Sequence, residues 1–224
     1  MNQVITVSIL DDHKVVTDGL RSVLNLRSDI QVTDVSNTVD SLMAQLVDRQ
    51  PDVLILDYSL SSTVVGETRT GLTVAEDVLS KYPHVKILML SMHESADVIV
   101  PCIEIGVHGY MLKSERDFDI AGAIRQVMEN GAYFSPEIAT QLALSIQRYK
   151  QDQIDITDRE LEILEALFQG CTAKEAGIRL GISPKTVESH RKNLMEKFQA
   201  KNVTHLIYLA LHQGYLQVGE KKTT

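Results

Sequence analysis

Short apolar runs alternate with helix-period stretches over the first 129 residues. Runs at about 4–10, 31–36, 52–57, 85–91 and 108–112 are bounded by polar residues and too short for helices, so they predict strands. Helices are predicted at about 13–26, 38–49, 71–81, 95–105 and 116–129. Five strand–helix pairs imply parallel βαβ units with right-handed crossovers, hence a doubly wound α/β sheet covered on both faces. Asn130–Gly131 ends the last of these helices, and Ser135–Pro136 opens another at about 136–149.

The pattern changes after residue 149. Tyr149 to Asp155 is polar and unpatterned, which places a linker there. Thr157-Asp-Arg-Glu160 and Thr172-Ala-Lys-Glu175 are capping boxes, Gly181 stops the second helix, and Ser183–Pro184 starts a third. A last helix begins at Asn202 or Val203. Four helices at this spacing, with a tight glycine turn between the middle two, form a helix-turn-helix pattern. The expected division is 1–129, a linker over 130–154 that includes a helix, an all-α domain over 155–217, and a flexible tail at 218–224.

Four strands of the first half end in polar residues. VITVSIL runs into Asp11 and Asp12, VLIL into Asp57, VKILML into Ser91 and GYML into Lys113. Parallel strands open their carboxyl ends onto one edge, where such folds bind ligands. Carboxylates gathered there suit a hard cation such as Mg2+. One carboxylate can attack a phosphoryl donor while a lysine and the metal neutralise the equatorial oxygens. By this logic Asp57 is the nucleophile, Asp12 the direct metal ligand and Asp11 its support. Lys113 pairs with the phosphoryl group and Ser91 hydrogen-bonds it.

Charge separates the two halves. Residues 1–154 carry 12 basic and 21 acidic side chains, whereas 155–224 carry 10 and 9. An asymmetry of this kind points to two domains with different partners. Cys102 and Cys171 lack metal-ligand spacing and read as reduced thiols. No apolar run approaches the roughly 20 residues of a membrane span, and the N-terminus lacks a signal pattern, so a cytoplasmic protein with no membrane partner is expected.

DDHKVVTDGL at 11–20, VLILD at 53–57, LSMH at 90–93 and GVHGYMLK at 106–113 resemble the receiver domain of two-component response regulators, the NarL/FixJ subfamily in particular. The resemblance implies a flavodoxin-like receiver, phosphorylation at Asp57 by a sensor histidine kinase, Mg2+ at Asp11, Asp12 and Asp57, and a switch at Ser91 and Lys113. It also implies that Tyr110 swings inward when Ser91 engages phosphate. Two departures stand out. Ser61 replaces the usual proline after the aspartate and Gly71 is the matching glycine, so the 58–70 loop is longer than usual and Ser59 would offer the metal-binding backbone carbonyl. Pro101 lies inside the fourth helix and is expected to kink it.

The stretch 183–198, SPKTVESHRKNLMEKF, turns Val187, Leu194 and Phe198 inward at helical spacing. Lys185, Thr186, Ser189, His190, Lys192 and Asn193 lie on or beside the other faces. Such a helix can enter a DNA major groove N-terminus first, with Ser183 capping it and Lys185, Ser189 and Asn193 reaching base edges. The longer string from Thr157 to Phe198 resembles the LuxR-type DNA-binding domain. That resemblance makes 184–197 the recognition helix and implies phosphate contacts at Lys174, Lys197 and Lys201. Gly177 replaces a usual alanine at a helix-propensity cost of about 1 kcal/mol. Val203 stands where an arginine is common.

The expected protein is a transcriptional regulator of double-stranded DNA, switched by phosphorylation and active as a homodimer. A phosphohydrolase is the enzymatic alternative, but Ser59 stands where its acid/base carboxylate would be. A third possibility is a phosphorylation-independent regulator whose receiver serves only for dimerisation, which the long 58–70 loop and Pro101 favour.

Overall fold

The computed structural model describes residues 4–60, 63–64, 67–115, 118–146 and 154–216. Residues 147–153 of the expected linker and all of the expected tail fall outside these residues. The receiver half contains β1 (Ile5–Leu10), α1 (Lys14–Leu24), β2 (Ile30–Ser36), α2 (Val39–Asp48), β3 (Val53–Asp57) and the short hairpin β4 (Thr63–Val64) and β5 (Glu67–Thr68). It continues through α3 (Gly71–Lys81), β6 (Lys86–Ser91), α4 (Ala96–Ile105), β7 (Gly109–Leu112), α5 (Ile120–Asn130), β8 (Tyr133–Phe134) and α6 (Pro136–Ile146).

The main sheet is parallel with strand order β2-β1-β3-β6-β7-β8. The chain reverses its direction of winding between β1 and β3, so their carboxyl ends flank a crevice. Every residue of β3 is buried. Its side chains alternate as a two-sided strand requires: Leu54 and Leu56 join α2, α3 and α4 on one face, while Val53 and Ile55 join α1 and α5 on the other.

Three features differ from the expected receiver. A sixth strand is present, because the chain beyond Gly131 turns back and pairs Tyr133 and Phe134 with Gly109 and Tyr110. α6 then buries Ile138 and Leu142 in the same core as α4, so much of the segment expected to be a linker is packed structure. α5 opens at Ile120 rather than 116, because Asp119 caps it by accepting from the amide of Gly122 at 3.0 Å. The helix α4 continues through Pro101 to Ile105, although proline removes the donor that would meet the carbonyl four residues earlier. The lengthened loop folds partly as the β4–β5 hairpin. At its end α3 presses against β3: a Cβ on Gly71 would lie 2.3 Å from the carbonyl oxygen of Asp57. Only glycine permits that approach, which ties the end of the loop to the reactive strand.

The second half comprises α7 (Asp158–Phe168), α8 (Ala173–Leu180), α9 (Pro184–Lys197) and α10 (Val203–His212). Both capping boxes form, and Ser183 accepts from the amide of Thr186. Leu164, Leu167, Ala176, Val187, Leu194 and Leu206 share one small core. Val203 is buried within it, so it plays a packing role at the position where an arginine is common.

Gly177 has a stronger reason than propensity suggests. It is buried where α8 meets the turn into α9, and a Cβ there would lie 2.8 Å from the carbonyl oxygen of Ile182. Gly177→Ala should therefore destabilise the domain by about 1–3 kcal/mol, as overpacking does, despite alanine's better helix propensity. Urea denaturation checks this, and a stabilised variant would contradict the packing argument.

Candidate functional site

Register brings the acidic residues together. Leu10 of β1 pairs with Leu56 of β3, so Asp11 and Asp57 leave adjacent strands side by side. Lys113 follows β7, two strands away from β3, and its long side chain reaches back across β6. Its Nζ lies 2.7 Å from Asp11 Oδ2 and 2.9 Å from Asp57 Oδ1. Asp11 Oδ1 also accepts from the amide of His13 at 2.8 Å, and Asn37 donates to the Asp11 carbonyl at 3.2 Å. Asp57 Oδ1 accepts weakly from the Ser59 amide at 3.3 Å.

The other oxygen, Asp57 Oδ2, is buried and has no hydrogen-bond partner. Burial raises the pKa of Asp57; the hydrogen bond from Lys113 works the other way, and the nearby charge of Asp11 adds to the rise. Lys113 is penalised by burial, yet its bonds to Asp11 and Asp57 outweigh that and hold its pKa above the ordinary value. The pocket thus has more negative charge than its lysine offsets. Ligand atoms of Asp11, Asp12, His13 and Asp57 lie within 4.8 Å of one another. A buried carboxylate oxygen lacking a donor, among further hard oxygen ligands, fits a divalent cation.

His13 escaped the sequence reading because it stands at the N-terminus of α1, just after the strand-end pair, where it read as a helix start. Its Nδ1 lies 2.8 Å from Asp12 Oδ1. His93 was also missed: its Nε2 lies 3.2 Å from Ser59 Oγ, and its ring stands edge-on to Tyr58 at 5.6 Å. Ser59 thus meets the site through its amide and hydroxyl, and the contact between loops 58–60 and 91–95 lies beside Asp57.

Ser91 is fully buried at the end of β6 and accepts from the His93 amide at 2.9 Å, which leaves its own proton to donate. Tyr110 does not stand outside the core as an inward swing requires. Its ring is already fully buried, and its hydroxyl donates to the His93 carbonyl at 2.9 Å. The apolar core offers that ring more than solvent does, and the carbonyl satisfies the hydroxyl.

On α9, Lys185, Ser189, Lys192 and Asn193 are exposed, while Thr186 and His190 are partly covered. Ser183 Oγ and Thr186 Oγ1 contact each other at 2.8 Å, and Ser189 Oγ donates to the Lys185 carbonyl at 3.0 Å, as helical serines commonly do. Lys174 is exposed on α8. Lys197 is committed internally: its Nζ lies 2.7 Å from the buried Glu160 and donates to the Asp155 carbonyl at 3.1 Å. Burial opposes the Glu160 charge, but Lys197 and Thr157 together lower its pKa. This geometry makes Lys197 a structural pin where phosphate contact was expected.

The N-terminal end of α10 meets the carbonyls that leave α4. Lys201 Nζ donates to the Glu104 carbonyl at 2.6 Å, Asn202 Nδ2 to that of Gly106 at 2.5 Å, and Thr204 Oγ1 to that of His108 at 2.7 Å. A helix leaves its last carbonyls without intrahelical donors, and a cation is favoured there. The helical second half thus supplies part of the C-terminal cap of a helix of the α/β half. At a second point, Asn130 Nδ2 donates to the Gly170 carbonyl at 2.7 Å. In this arrangement Lys185, Ser189 and Lys192 of α9 line a cleft against Lys86, His108 and Glu129 of the receiver. Among the described residues no helix is long and apolar enough to cross a membrane.

The response regulator receiver domain model matches residues 7–125, and the model of bacterial regulatory proteins of the luxR family matches 155–210. The chain is 32% identical over 218 residues to the oxygen regulatory protein NreC of Staphylococcus carnosus, covering 94% of this chain and 98% of that protein. It is 34% identical over 203 residues to the transcriptional regulatory protein UhpA of Escherichia coli, covering 90% and 95%. In fold it is similar to the RcsB response regulator of Salmonella typhimurium, with a TM-score of 0.59 at 22% identity, covering 92% of this chain and 97% of that one. A complex of RcsB with DNA aligns with a TM-score of 0.58 at 20% identity, covering 94% and 99%.

The charge imbalance predicts a pH signature. A carboxyl whose folded pKa is raised stabilises the fold below its unfolded pKa and loses that contribution as pH rises through the folded value. Asp57→Asn should therefore raise the Tm at pH 7 by about 4 °C, the shift expected for roughly 1 kcal/mol in a domain of this size. The gain should shrink as pH falls through the raised folded pKa of Asp57 and vanish below the ordinary carboxyl range. Millimolar Mg2+ should raise the Tm of wild type more than that of the variant. Differential scanning fluorimetry with and without the metal measures both, and equal Tm values at pH 7 would contradict the imbalance.

Proposed function

The chain belongs to the two-component response regulators with a receiver and a LuxR-type DNA-binding domain, and is a DNA-binding transcriptional regulator; from that premise we propose that Asp57 is its phosphoacceptor and α9 its reading helix. The observation that carries the first assignment is the unpartnered, buried Oδ2 of Asp57 beside Lys113. One carboxylate oxygen of Asp57 attacks the phosphorus of a donor, and the bond to the donor's leaving group breaks, leaving an acyl phosphate. Asp11, Asp12 and Asp57 hold Mg2+, with Ser59 available to it through the backbone. When bound, the metal neutralises phosphoryl charge. A sensor histidine kinase supplies the phosphoryl group, as the receiver domain implies.

Lys113 then exchanges its Asp57 contact for a phosphoryl oxygen, and the Ser91 hydroxyl donates to another. Because the Tyr110 ring is already inside, the motion left to the switch is that of the Ser91–His93 segment, whose carbonyl the tyrosine holds. That segment leads directly into α4. Movement of α4 would strain the bonds that Glu104 and Gly106 at its carboxyl end accept from Lys201 and Asn202, and the adjoining bond from Thr204 to His108. Their release frees α9 from the receiver, and Lys185, Ser189 and Asn193 then reach base edges while Lys174, Lys192 and Lys201 contact phosphates. RcsB is described as two dimers on two DNAs, which supports a dimer for this chain as well. A receiver that served only for dimerisation would not need the joint between α4 and α10.

Beryllofluoride, a phosphoryl mimic, should with Mg2+ increase dimer fraction and DNA affinity for wild type and leave Asp57→Asn unchanged. Gel shift and light scattering test this, and identical responses would refute phosphorylation control. In the unmodified protein Thr204→Val should raise DNA affinity several-fold, because losing one hydrogen bond to His108 weakens the closed arrangement by about 1 kcal/mol. Lys174→Ala should reduce the slope of log affinity against log salt by about 0.9, whereas Lys197→Met should lower the Tm with little change in slope.

A further inference from the structure

A cleft of about 670 Å³ separates the receiver from α9, a volume within the range of small-molecule sites. Lys86 enters it from the start of β6, and Lys185, Arg191 and Lys192 enter from α9. Lys86 is half-buried and its Nζ donates to the Val127 carbonyl at 3.1 Å. Burial first, and then the like charge of Arg191 across the cleft, lower its pKa. Arg191 is paired with Glu188 at 2.5 Å and Lys192 lies 3.8 Å from Glu196 at an exposed position, which leaves Lys86 and Lys185 against the single carboxylate Glu129. Domain closure therefore brings like charges together in a partly enclosed space, where screening by water is reduced. Met128 and Met195 supply a polarisable apolar wall in the same cleft.

We propose that this cleft binds a phosphorylated small molecule of nucleotide size, its phosphates between Lys86 and the cations of α9 and its apolar part on Met128 and Met195. Bound there, the anion holds the two domains closed and competes with DNA for Lys185 and Lys192. The competition rests on the assignment of α9 as the reading helix; the binding site itself rests on the cleft. Lys86 belongs to neither the Asp57 pocket nor the DNA-facing helix, so it separates the two.

The test is isothermal titration of the full-length unphosphorylated protein in EDTA with ATP, inorganic tripolyphosphate and adenosine. Binding of ATP at one site, weaker binding of tripolyphosphate and none of adenosine are expected. Tighter binding of tripolyphosphate than of ATP would assign the site to inorganic polyanions and overturn the nucleotide-sized ligand. Lys86→Met should weaken ATP binding about tenfold or more, the loss expected for one charge-assisted contact. Glu129→Gln, at an exposed position, should strengthen it and serves as the second variant if Lys86→Met does not fold. ATP should weaken DNA binding by wild type and not by Lys86→Met. Absence of ATP binding at millimolar concentration, or equal affinity in wild type and both variants, would overturn the site. Failure of beryllofluoride-activated wild type to bind DNA in Mg2+ without ATP would instead sink the assignment of α9.

Discussion

Lys113 sets one ammonium against two buried carboxylates at the edge of the parallel sheet, and the pocket's function depends on how incomplete that compensation is. Its Nζ satisfies Asp11 Oδ2 and Asp57 Oδ1 at 2.7 and 2.9 Å and leaves Asp57 Oδ2 bare. A fully paired aspartate would be a poor nucleophile and would have no reason to take up a metal. Under the proposed function the same ammonium would pass to a phosphoryl oxygen, so phosphorylation would redistribute contacts already present instead of assembling new ones. Burial of Asp57 makes that redistribution consequential, because electrostatic interactions weaken less in a buried pocket than in water.

The pocket lies at the carboxyl end of the sheet, and the DNA-binding domain is held at the opposite end. Helix α4 spans the two. It begins after the Ser91–His93 segment and ends where Lys201 and Asn202 meet its last carbonyls, with Thr204 bonded to His108 just beyond. Hydrogen bonds of this kind each contribute about 1 kcal/mol, small enough to be broken by a local rearrangement and numerous enough to hold a closed form. Pro101 removes one backbone bond within that helix, which lowers the cost of deforming it. Relatives with the same two domains share the fold, so the particulars of this joint are where this chain can differ from them.

Much of the fold was legible because its signals are local and periodic. Apolar runs marked all five longer receiver strands, and capping boxes at Thr157 and Thr172 marked α7 and α8. Asp11, Asp57 and Lys113 were found as one constellation because parallel strands place their carboxyl ends together. The two-residue strand β8 was not legible, since its pairing depends on where the chain returns after Gly131. Lys197 could not be separated by sequence from the lysines expected to contact DNA, because its partner Glu160 lies 37 residues away. Gly177 read as a propensity cost until the approach of the Ile182 carbonyl showed why a Cβ is excluded. The inward position of Tyr110 was not legible, because the carbonyl that satisfies its hydroxyl belongs to His93, 17 residues away.

The account's central claim is that modification at Asp57 opens the joint between the domains. Spin labels at the exposed positions Asp48 of the receiver and Glu165 of α7, with pulsed electron resonance between them, measure that opening directly. Beryllofluoride with Mg2+ should convert a narrow distance distribution into a longer, broader one in wild type and leave Asp57→Asn unchanged. An identical distribution with and without beryllofluoride, at a concentration shown to occupy the pocket, would contradict the claim.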